Sequence, residues 1–253
     1  MVGRPGRGEE DVGECPGNAA RADVRSTCVE HNVGTGPGEI TSDGCAVDFC
    51  ALLPPLGEAE IVHSAVPEGG PVLELGCGAG RILRPLAGLG HQVLGVDDSE
   101  AMLAHLPDLP TVCCRIEELY LYRTFDAVVL ASTLINEEPS LRSKFLAACR
   151  RNLGSGGVAV FQQQAPSWFG AVGQAPRVRE DPGGIRRVSR SARWEPPRLF
   201  IEVEYQVGDR VWTHSWGAWE ISERELADDL GSAGLRFGRW LTDDHAWFTA
   251  KAA

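Results

Sequence analysis

Residues 72 to 81 read VLELGCGAGR, an apolar run that ends in glycines at every second position. The apolar run, from Pro71 to Leu75, predicts a buried strand. A glycine-rich turn after a strand lets a ligand approach the backbone where a Cβ atom would clash. The helix expected behind the turn presents free N–H groups and the positive end of its dipole. The stretch therefore predicts a cofactor-binding loop between a strand and a helix.

Further strands and helices alternate after this loop. The apolar and amphipathic patterns predict strands over residues 71–75, 91–96, 111–115, 125–131 and 158–164. Helices are predicted over 79–89, from a Ser99 cap to residue 105, and over 139–153. Alternation of this kind predicts an α/β fold with a doubly wound, mostly parallel sheet.

The pattern changes after residue 164. Residues 198–207 and 210–220 alternate around Gly208-Asp209, which predicts an antiparallel hairpin with a type II′ turn. Residues 185–194 are a candidate third strand. The chain then returns to a helix with a capping box of Ser222 and Glu225, and it ends in two short strands.

The remaining boundaries follow from composition. Residues 1–40 are rich in glycine, arginine and acidic residues, which predicts a flexible leader. Residues 41–68 predict an N-terminal cap of two short helices, broken at Pro54-Pro55. The main domain is expected over 69–253, with an inserted β region at 166–220 for substrate or dimer contacts.

The formal net charge of −11 weighs against nucleic acid as a partner. No apolar run is long enough for a membrane helix, and no secretory signal is visible. The eight cysteines form no C-x2-C pair, which predicts free, mostly buried thiols and no metal site. We expect a cytoplasmic monomer or homodimer that acts on a small molecule, without nucleic acid or membrane.

Two cofactor classes use such a glycine loop. The dinucleotide fingerprint G-x-G-x-x-G requires its third glycine at position 81, where this chain has Arg81. The third glycine is Gly80 instead. An NAD-dependent oxidoreductase therefore stays an alternative whose fingerprint fails at the last position.

Several motifs together resemble the class I S-adenosylmethionine-dependent methyltransferases. They are ELGCGAG, then GVDDSEAML about twenty residues on, then FDAVVLASTLIN, a helix and NLGSGGVAVF. The resemblance covers roughly residues 44–253. It implies a seven-stranded sheet with an antiparallel last strand, S-adenosylmethionine as cofactor, and methyl transfer as the activity.

The resemblance also implies roles for single residues. Asp97 would accept hydrogen bonds from both ribose hydroxyls. The alternative is that Asp97 caps the helix, but Ser99 already provides that cap. Glu74 would face the methionine end through water, or else be a solvent-facing strand residue. Arg81 would meet the methionine carboxylate, or else lie on the surface. The full implied cofactor set is Glu74, Gly76, Cys77, Gly78, Gly80, Arg81, Asp97, Asp98, Met102, Ile116, Glu117, Ala131 and Ser132.

One position departs from the family pattern. The family often has an acid after the third strand, near the adenine amine, and Arg115 stands there. Glu117 would take the place of this acid if the alignment to the family shifts by two residues, with Ile116 beside the adenine. Ala131 and Ser132, at the end of the fourth strand, should border the transferring methyl.

The hairpin is the expected acceptor region. A turn at Gly208-Asp209 makes cross-strand partners share a face. His214 would be a general base or an orienting residue, and the alternative is a core histidine or dimer contact. Tyr205, Trp212 and Trp216 are candidate substrate contacts, or else core. One face should carry Ile201, Val203, Tyr205, Trp212, His214 and Trp216.

The inserted hairpin resembles the arrangement in small-molecule methyltransferases that act on glycine or amino sugars. After the fourth strand, STLIN is not the motif used for exocyclic amines of nucleic acids. We therefore expect methyl transfer to N or O of a small metabolite, in secondary-metabolite biosynthesis. The alternative is a non-catalytic, cofactor-binding protein of the same fold.

Overall fold

The computed structural model describes residues 32–171 and 176–253. The strands are β1 Val33–Thr35, β2 Pro71–Leu75, β3 Gln92–Asp97, β4 Thr111–Cys113, β5 Phe125–Leu130, β6 Leu153–Gln162, β7 Arg177–Asp181, β8 Ile185–Glu195, β9 Arg198–Val207, β10 Arg210–Trp219, β11 Leu235–Trp240 and β12 Trp247–Ala252. The helices are α1 Val47–Cys50, α2 Glu58–His63, α3 Leu83–Gly88, α4 Glu100–Leu103, α5 Pro139–Asn152, α6 Pro166–Ala171 and α7 Glu223–Ser232, with 3-10 turns at Ile116–Glu118 and Leu134–Asn136.

The central sheet has seven strands in the order β11-β12-β6-β5-β2-β3-β4. Strands β2 to β6 pair in parallel, whereas β12 is antiparallel to both β6 and β11. Successive residues of β2 point to opposite faces, and Val72 and Leu73 are both fully buried, one in each of two apolar clusters. The predicted doubly wound sheet with an antiparallel last strand is confirmed.

A second, antiparallel sheet packs beside the first, in the order β1-β10-β9-β8-β7. Its hairpin has the predicted register, with Tyr205 opposite Trp212 and Val203 opposite His214. Gly208 has a φ of 58°, as the first central residue of a type II′ turn requires. The candidate third strand is β8, which is extended by β7.

The start of one helix and the start of one strand differ most from their predicted positions. Helix α3 begins at Leu83 rather than at residue 79, because the residues after the glycines form a turn in which the Gly80 N–H donates to the Cys77 carbonyl. Pro85 thus falls in the first helical turn, where a missing N–H costs no bond. Strand β6 begins at Leu153, and an irregularity against β5 accommodates the glycines that follow.

The N-terminal segment is more ordered than the sequence indicated. Val33–Thr35 form β1, which pairs with β10, whereas a flexible leader was predicted for residues 1–40. The Nε1–H of Trp212 donates to the Pro37 carbonyl at 2.8 Å. A buried aromatic side chain therefore fixes a segment whose own composition is polar. Residues 1–31 lie outside the described residues.

The prediction of free thiols is wrong at one position. Cys114 is disulfide-bonded, although it follows the exposed, free Cys113. The other thiols in the described ranges, those of Cys45, Cys50, Cys77 and Cys149, are free. The longest helix there, α5, has 14 residues, and no helix in these ranges has the length and apolarity needed to cross a membrane.

Candidate cofactor and acceptor site

A cavity of about 640 Å³ lies at the carboxyl ends of the parallel strands. Its floor is formed by residues that follow β2, β3 and β5, and its opposite wall is the inner face of the second sheet. Residues 41–45 and helix α1 border it as well. The cavity therefore joins the predicted cofactor loop to the predicted acceptor hairpin.

The glycines of the loop have different roles. A Cβ atom on Gly78, which has a φ of 53°, would come no closer than 4.0 Å to protein, at the sulfur of Met102. A Cβ atom on Gly80 would collide with the side chain of Leu106. Gly78 thus leaves room for a ligand, whereas Gly80 packs against the core and does not line the cavity. The cofactor contact predicted for Gly80 stays a prediction.

Asp97 anchors the loop from the end of β3. Its Oδ2 accepts from the Gly78 N–H at 2.8 Å, and its Oδ1 accepts from the Ser99 N–H at 3.0 Å. Each carboxylate oxygen keeps a second lone pair for a ligand. Burial raises the pKa of Asp97, and the two N–H donors lower it. The Ser99 hydroxyl accepts from the Met102 N–H, so the predicted helix cap is confirmed.

Glu74 lies on the floor of the cavity. Its side chain is 2% exposed, so the alternative of a solvent-facing strand residue is wrong. Its Oε2 has no hydrogen-bond partner among the described residues. Burial, and then the charge of Asp97, raise the pKa of Glu74 well above its usual value. A buried, unsatisfied oxygen beside the open face of Gly78 fits a polar, cationic cofactor group.

Replacing Glu74 with glutamine should stabilise the cofactor-free protein, increasingly so at higher pH. In the unfolded chain the Glu74 carboxyl ionises above about pH 4.5, whereas in the folded protein it keeps its proton up to its raised pKa. The wild type therefore loses stability as pH rises between these two pKa values. Glutamine cannot ionise, so the variant does not lose stability in this way. Urea unfolding at pH 5 and pH 8 measures this, with the exposed Glu118→Gln as control. An equal effect of E74Q at both pH values would contradict the prediction.

Arg81 is not the plain surface residue of the alternative, and its contact with the methionine carboxylate stays a prediction. It forms an ion pair with Glu58 of α2, which is itself buried, while still lining the cavity. Burial lowers the pKa of Arg81. The ion pair ties the cofactor loop to the N-terminal helical cap.

The residues predicted near the adenine and near the transferring methyl differ in whether they line the cavity. Arg115 and Glu117 form an ion pair at 2.5 Å, and both line the cavity together with Ile116. Ser132 also lines it, in the left-handed region with a φ of 53°, and its N–H donates to Gln162. Ala131 is buried in the apolar core and does not line the cavity. The contact with the transferring methyl predicted for it stays a prediction.

His214 lies on the cavity wall that the second sheet forms. Its Nε2 lies 3.2 Å from the carbonyl oxygen of Asp43, so in the tautomer that donates this bond Nδ1 holds a lone pair. Burial lowers the pKa of His214. The imidazole is therefore neutral at pH 7 and free to accept a proton.

The three predicted aromatic contacts all line the cavity. Tyr205 stacks on Phe49 of α1 with ring centroids 4.2 Å apart, and burial raises its pKa to about 12. Trp216 lies beside the His214 ring at 5.0 Å. Trp212 is 1% exposed and belongs mainly to the small core beneath α1. The aromatic residues of the hairpin therefore belong to the core beneath α1 and also line the cavity.

Two carboxylates of the cavity were missed from the sequence. Asp43 lies on the segment 41–45, where the neighbouring Ser42 hydroxyl donates to Asp98 at 3.2 Å. Glu137 follows the Leu134–Asn136 turn, which Asn136 fixes by donating to the Trp219 carbonyl and accepting from the Gln164 N–H. Burial raises the pKa of Glu137, and the charge of Arg198 opposes this.

No ion pair within residues 32–171 and 176–253 neutralises these carboxylates, although the charge of Arg198 acts on Glu137. Neither Asp43, Asp98 nor Glu137 forms an ion pair with another described residue. Neither Asp43 nor Glu137 lies in a motif, although Glu137 directly follows STLIN. The site is therefore more acidic than its motifs indicated.

Comparison with known proteins agrees with this geometry. A family model described as a methyltransferase domain matches residues 73–161. A dTDP-3-amino-3,4,6-trideoxy-alpha-D-glucopyranose N,N-dimethyltransferase of Streptomyces venezuelae is 31% identical over 163 residues, 60% of this chain and 67% of that protein. A ubiquinone biosynthesis O-methyltransferase of Bradyrhizobium diazoefficiens is 33% identical over 106 residues, 38% of this chain. That match spans 41% of the relative, less than half of its length.

Solved structures share the fold. DesVI of Streptomyces venezuelae superposes with a TM-score of 0.65 at 24% identity, covering 80% of this chain and 92% of that one. An S-adenosylmethionine-dependent methyltransferase of Clostridium acetobutylicum gives a TM-score of 0.66 at 15% identity, covering 81% and 94%. The chain belongs to the class I S-adenosylmethionine-dependent methyltransferases. Its cofactor is S-adenosylmethionine.

Proposed function

We propose that this protein transfers a methyl group from S-adenosylmethionine to an amine nitrogen of a small, polar metabolite. The observation that carries the proposal is the acidic wall of the cavity that His214 also lines, where Asp43 and Glu137 form no ion pair with another described residue. Amines reach an enzyme at neutral pH largely as ammonium ions. Carboxylates in a partly desolvated cavity attract such a cation, whereas a neutral hydroxyl gains little from them.

The cofactor residues fit the same proposal. Asp97 would accept from the ribose hydroxyls, with Gly78 giving the backbone clearance and Glu74 facing the methionine end. Asp98, Met102, Ile116 and Glu117 would border the adenosine. Bound there, S-adenosylmethionine would supply a methyl group activated on a sulfonium, with S-adenosylhomocysteine as the leaving group.

The protein must free that lone pair. We assign this step to His214, because its neutral Nδ1 can accept the ammonium proton while Nε2–H stays bonded to the Asp43 carbonyl. Positioning supplies most of the remaining rate, since holding reactants in line can be worth roughly 7–11 kcal/mol. Tyr205 and Trp216 form the apolar walls that orient the acceptor.

The names of the relatives include both nitrogen and oxygen as methyl acceptors. One relative is named for N,N-dimethylation of an amino sugar and another for O-methylation in ubiquinone biosynthesis. The acidic cavity favours the first. We therefore place the acceptor among amino sugars or similar amines of secondary metabolism.

The test is formation of S-adenosylhomocysteine by the full chain with matched acceptors. Amino sugars are compared with the same sugars carrying a hydroxyl in place of the amine, and with catechols. We expect turnover with amines alone. Turnover with catechols but not amines, or cofactor binding without turnover on any amine, would contradict the proposal.

A further inference from the structure

The turn at residues 131–134, called here the β5 turn because it follows that strand, has an unusual backbone. Ser132 has a φ of 53° and Thr133 a φ of 60°. The turn is closed by the Leu134 N–H, which donates to the Ala131 carbonyl at 3.2 Å. Positive φ at both central residues is the pattern of a type I′ turn, which normally contains glycine, asparagine or aspartate. A β-branched threonine is strained there, so contacts from outside must stabilise the β5 turn.

Two glutamines of the neighbouring strand supply these contacts. They belong to a run of three glutamines at residues 162–164. Gln162, the last residue of β6, accepts through Oε1 from the Ser132 N–H at 2.8 Å. The Nε2 of Gln164 lies 3.4 Å from Oγ1 of Thr133. The shorter of the two bonds, from Gln162, therefore acts on the backbone of the strained turn itself.

The β5 turn connects the cofactor loop to the acidic wall. Leu134, its last residue, packs on the loop so closely that a Cβ atom on Gly76 would lie 2.5 Å from the Leu134 Cδ1. Glu137 follows three residues later and lines the cavity, as the two central residues of the turn do. The conformation of this one turn therefore determines both the packing on the cofactor loop and the position of the Glu137 carboxylate.

We propose that Gln162 is a positioning residue for methyl transfer: its bond to the Ser132 N–H holds the β5 turn in the left-handed conformation that places Glu137 beside the acceptor. The inference rests on the proposed function, since it takes Glu137 to face the ammonium group of the acceptor. Gln162 takes no part in the proton transfer. It acts on the rate through the backbone of residues 131–137.

Two substitutions separate the hydrogen bond from the shape of the Gln162 side chain. Methionine is unbranched like glutamine but lacks the amide acceptor, whereas glutamate keeps an oxygen for the Ser132 N–H. We expect Q162M to lower kcat with the fastest amino sugar of the acceptor comparison by about tenfold, as loss of one orienting hydrogen bond should. Q162E should retain most of the wild-type rate.

Binding of S-adenosylhomocysteine should stay near the wild-type value in both variants, as measured by calorimetry. The loop is also held by the bond from the Gly78 N–H to Asp97, which does not involve the β5 turn. Gln162 is only partly buried, so Q162M should fold, and a thermal melt checks this.

Gln163 provides the matched control. It follows Gln162 in the chain, is buried, and donates through Nε2 to the His245 carbonyl at 2.9 Å. It does not line the cavity. Q163M therefore removes one side-chain hydrogen bond from the same stretch without altering the β5 turn. It should lower the melting temperature at least as much as Q162M does and leave kcat unchanged.

Glycine at position 133 tests whether the turn transmits the effect. Glycine adopts a positive φ without strain, so T133G should keep the β5 turn in place even without the Gln162 bond. In the T133G background, Q162M should lower kcat by less than about twofold. The free energy of unfolding should show the opposite pattern. Q162M should cost at least as much stability in T133G, because the turn stays in place and no strain is released to offset the lost bond.

Several results would overturn the inference. They are a wild-type kcat in Q162M, a Q162E as slow as Q162M, or an equal loss of kcat from Q162M with and without T133G. A loss of kcat in Q163M as large as in Q162M, or a matching loss of S-adenosylhomocysteine affinity in Q162M, would also overturn it. The unfolding experiments need no acceptor. If they show the expected pattern but no amine yields S-adenosylhomocysteine, the role of Gln162 in holding the turn stands and the proposed function fails.

Discussion

Replacing Asp97 with alanine is expected to weaken S-adenosylmethionine binding by more than about 100-fold, because two charged hydrogen bonds to the ribose are each worth roughly 1.5–3 kcal/mol. Both Asp97 oxygens also hold the loop, through the N–H groups of Gly78 and Ser99. The variant therefore loses a ligand contact and the ordered shape of the loop together. Equilibrium dialysis or calorimetry measures the affinity.

The fold should survive this change. Asp97 ends a strand whose preceding residues are buried, so the apolar core is not altered. D126A is the matched control, because Asp126 is an exposed aspartate near the opposite end of the parallel strands. D97A with a normal melting curve and unchanged cofactor affinity would show that the ribose is held elsewhere.

Replacing His214 with glutamine should lower turnover by about 100-fold or more, as loss of a general base commonly does. Binding of S-adenosylhomocysteine should stay near the wild-type value, because His214 lies on the acceptor side of the cavity. S215A is the control, since Ser215 is next along β10 and points to the other face. Single-turnover rates separate the chemical step from product release. A wild-type rate for H214Q would make His214 a structural residue.

The pH profile gives an independent readout of the same residue. Burial lowers the pKa of His214 from 6.5. The imidazole must be neutral to accept a proton, so the midpoint of the acid limb in the wild-type rate should lie below pH 6.5. H214Q should lack this acid limb. A limb that persists in H214Q would assign it to another group, such as Glu137, whose pKa is raised by burial.

Much of the cofactor half could be predicted because its signals are local. The glycine spacing, the acid at the end of β3 and the Ser99 cap all lie within thirty residues, and each has a backbone reason. The hairpin register followed from one turn, since a two-residue turn determines every pair behind it. Tyr205, Trp212 and His214 therefore fell on the predicted face.

The remaining parts depend on contacts between distant segments. Arg81 pairs with Glu58, and Asp43 reaches His214 across more than 170 residues of chain, so no local spacing reveals them. Gly80 and Ala131 belong to the right motifs but face the core, because the direction of a single residue in a turn depends on the packing beneath it. Strand β1 was missed because its partner supplies the apolar surface.

The separation of the two sheets divides the molecule by task. The part of the cavity proposed for the cofactor is lined mostly by residues 74–136, whereas the wall proposed for the acceptor is lined by residues 187–218. Acceptor preference can therefore change through substitutions on one face of the second sheet, without disturbing how the methyl donor is held. The short segment at residues 41–45 is where a single substitution would affect both halves, since it touches Asp98 on one side and His214 on the other. Variation among related chains should accordingly be tolerated on the acceptor sheet and constrained in that segment.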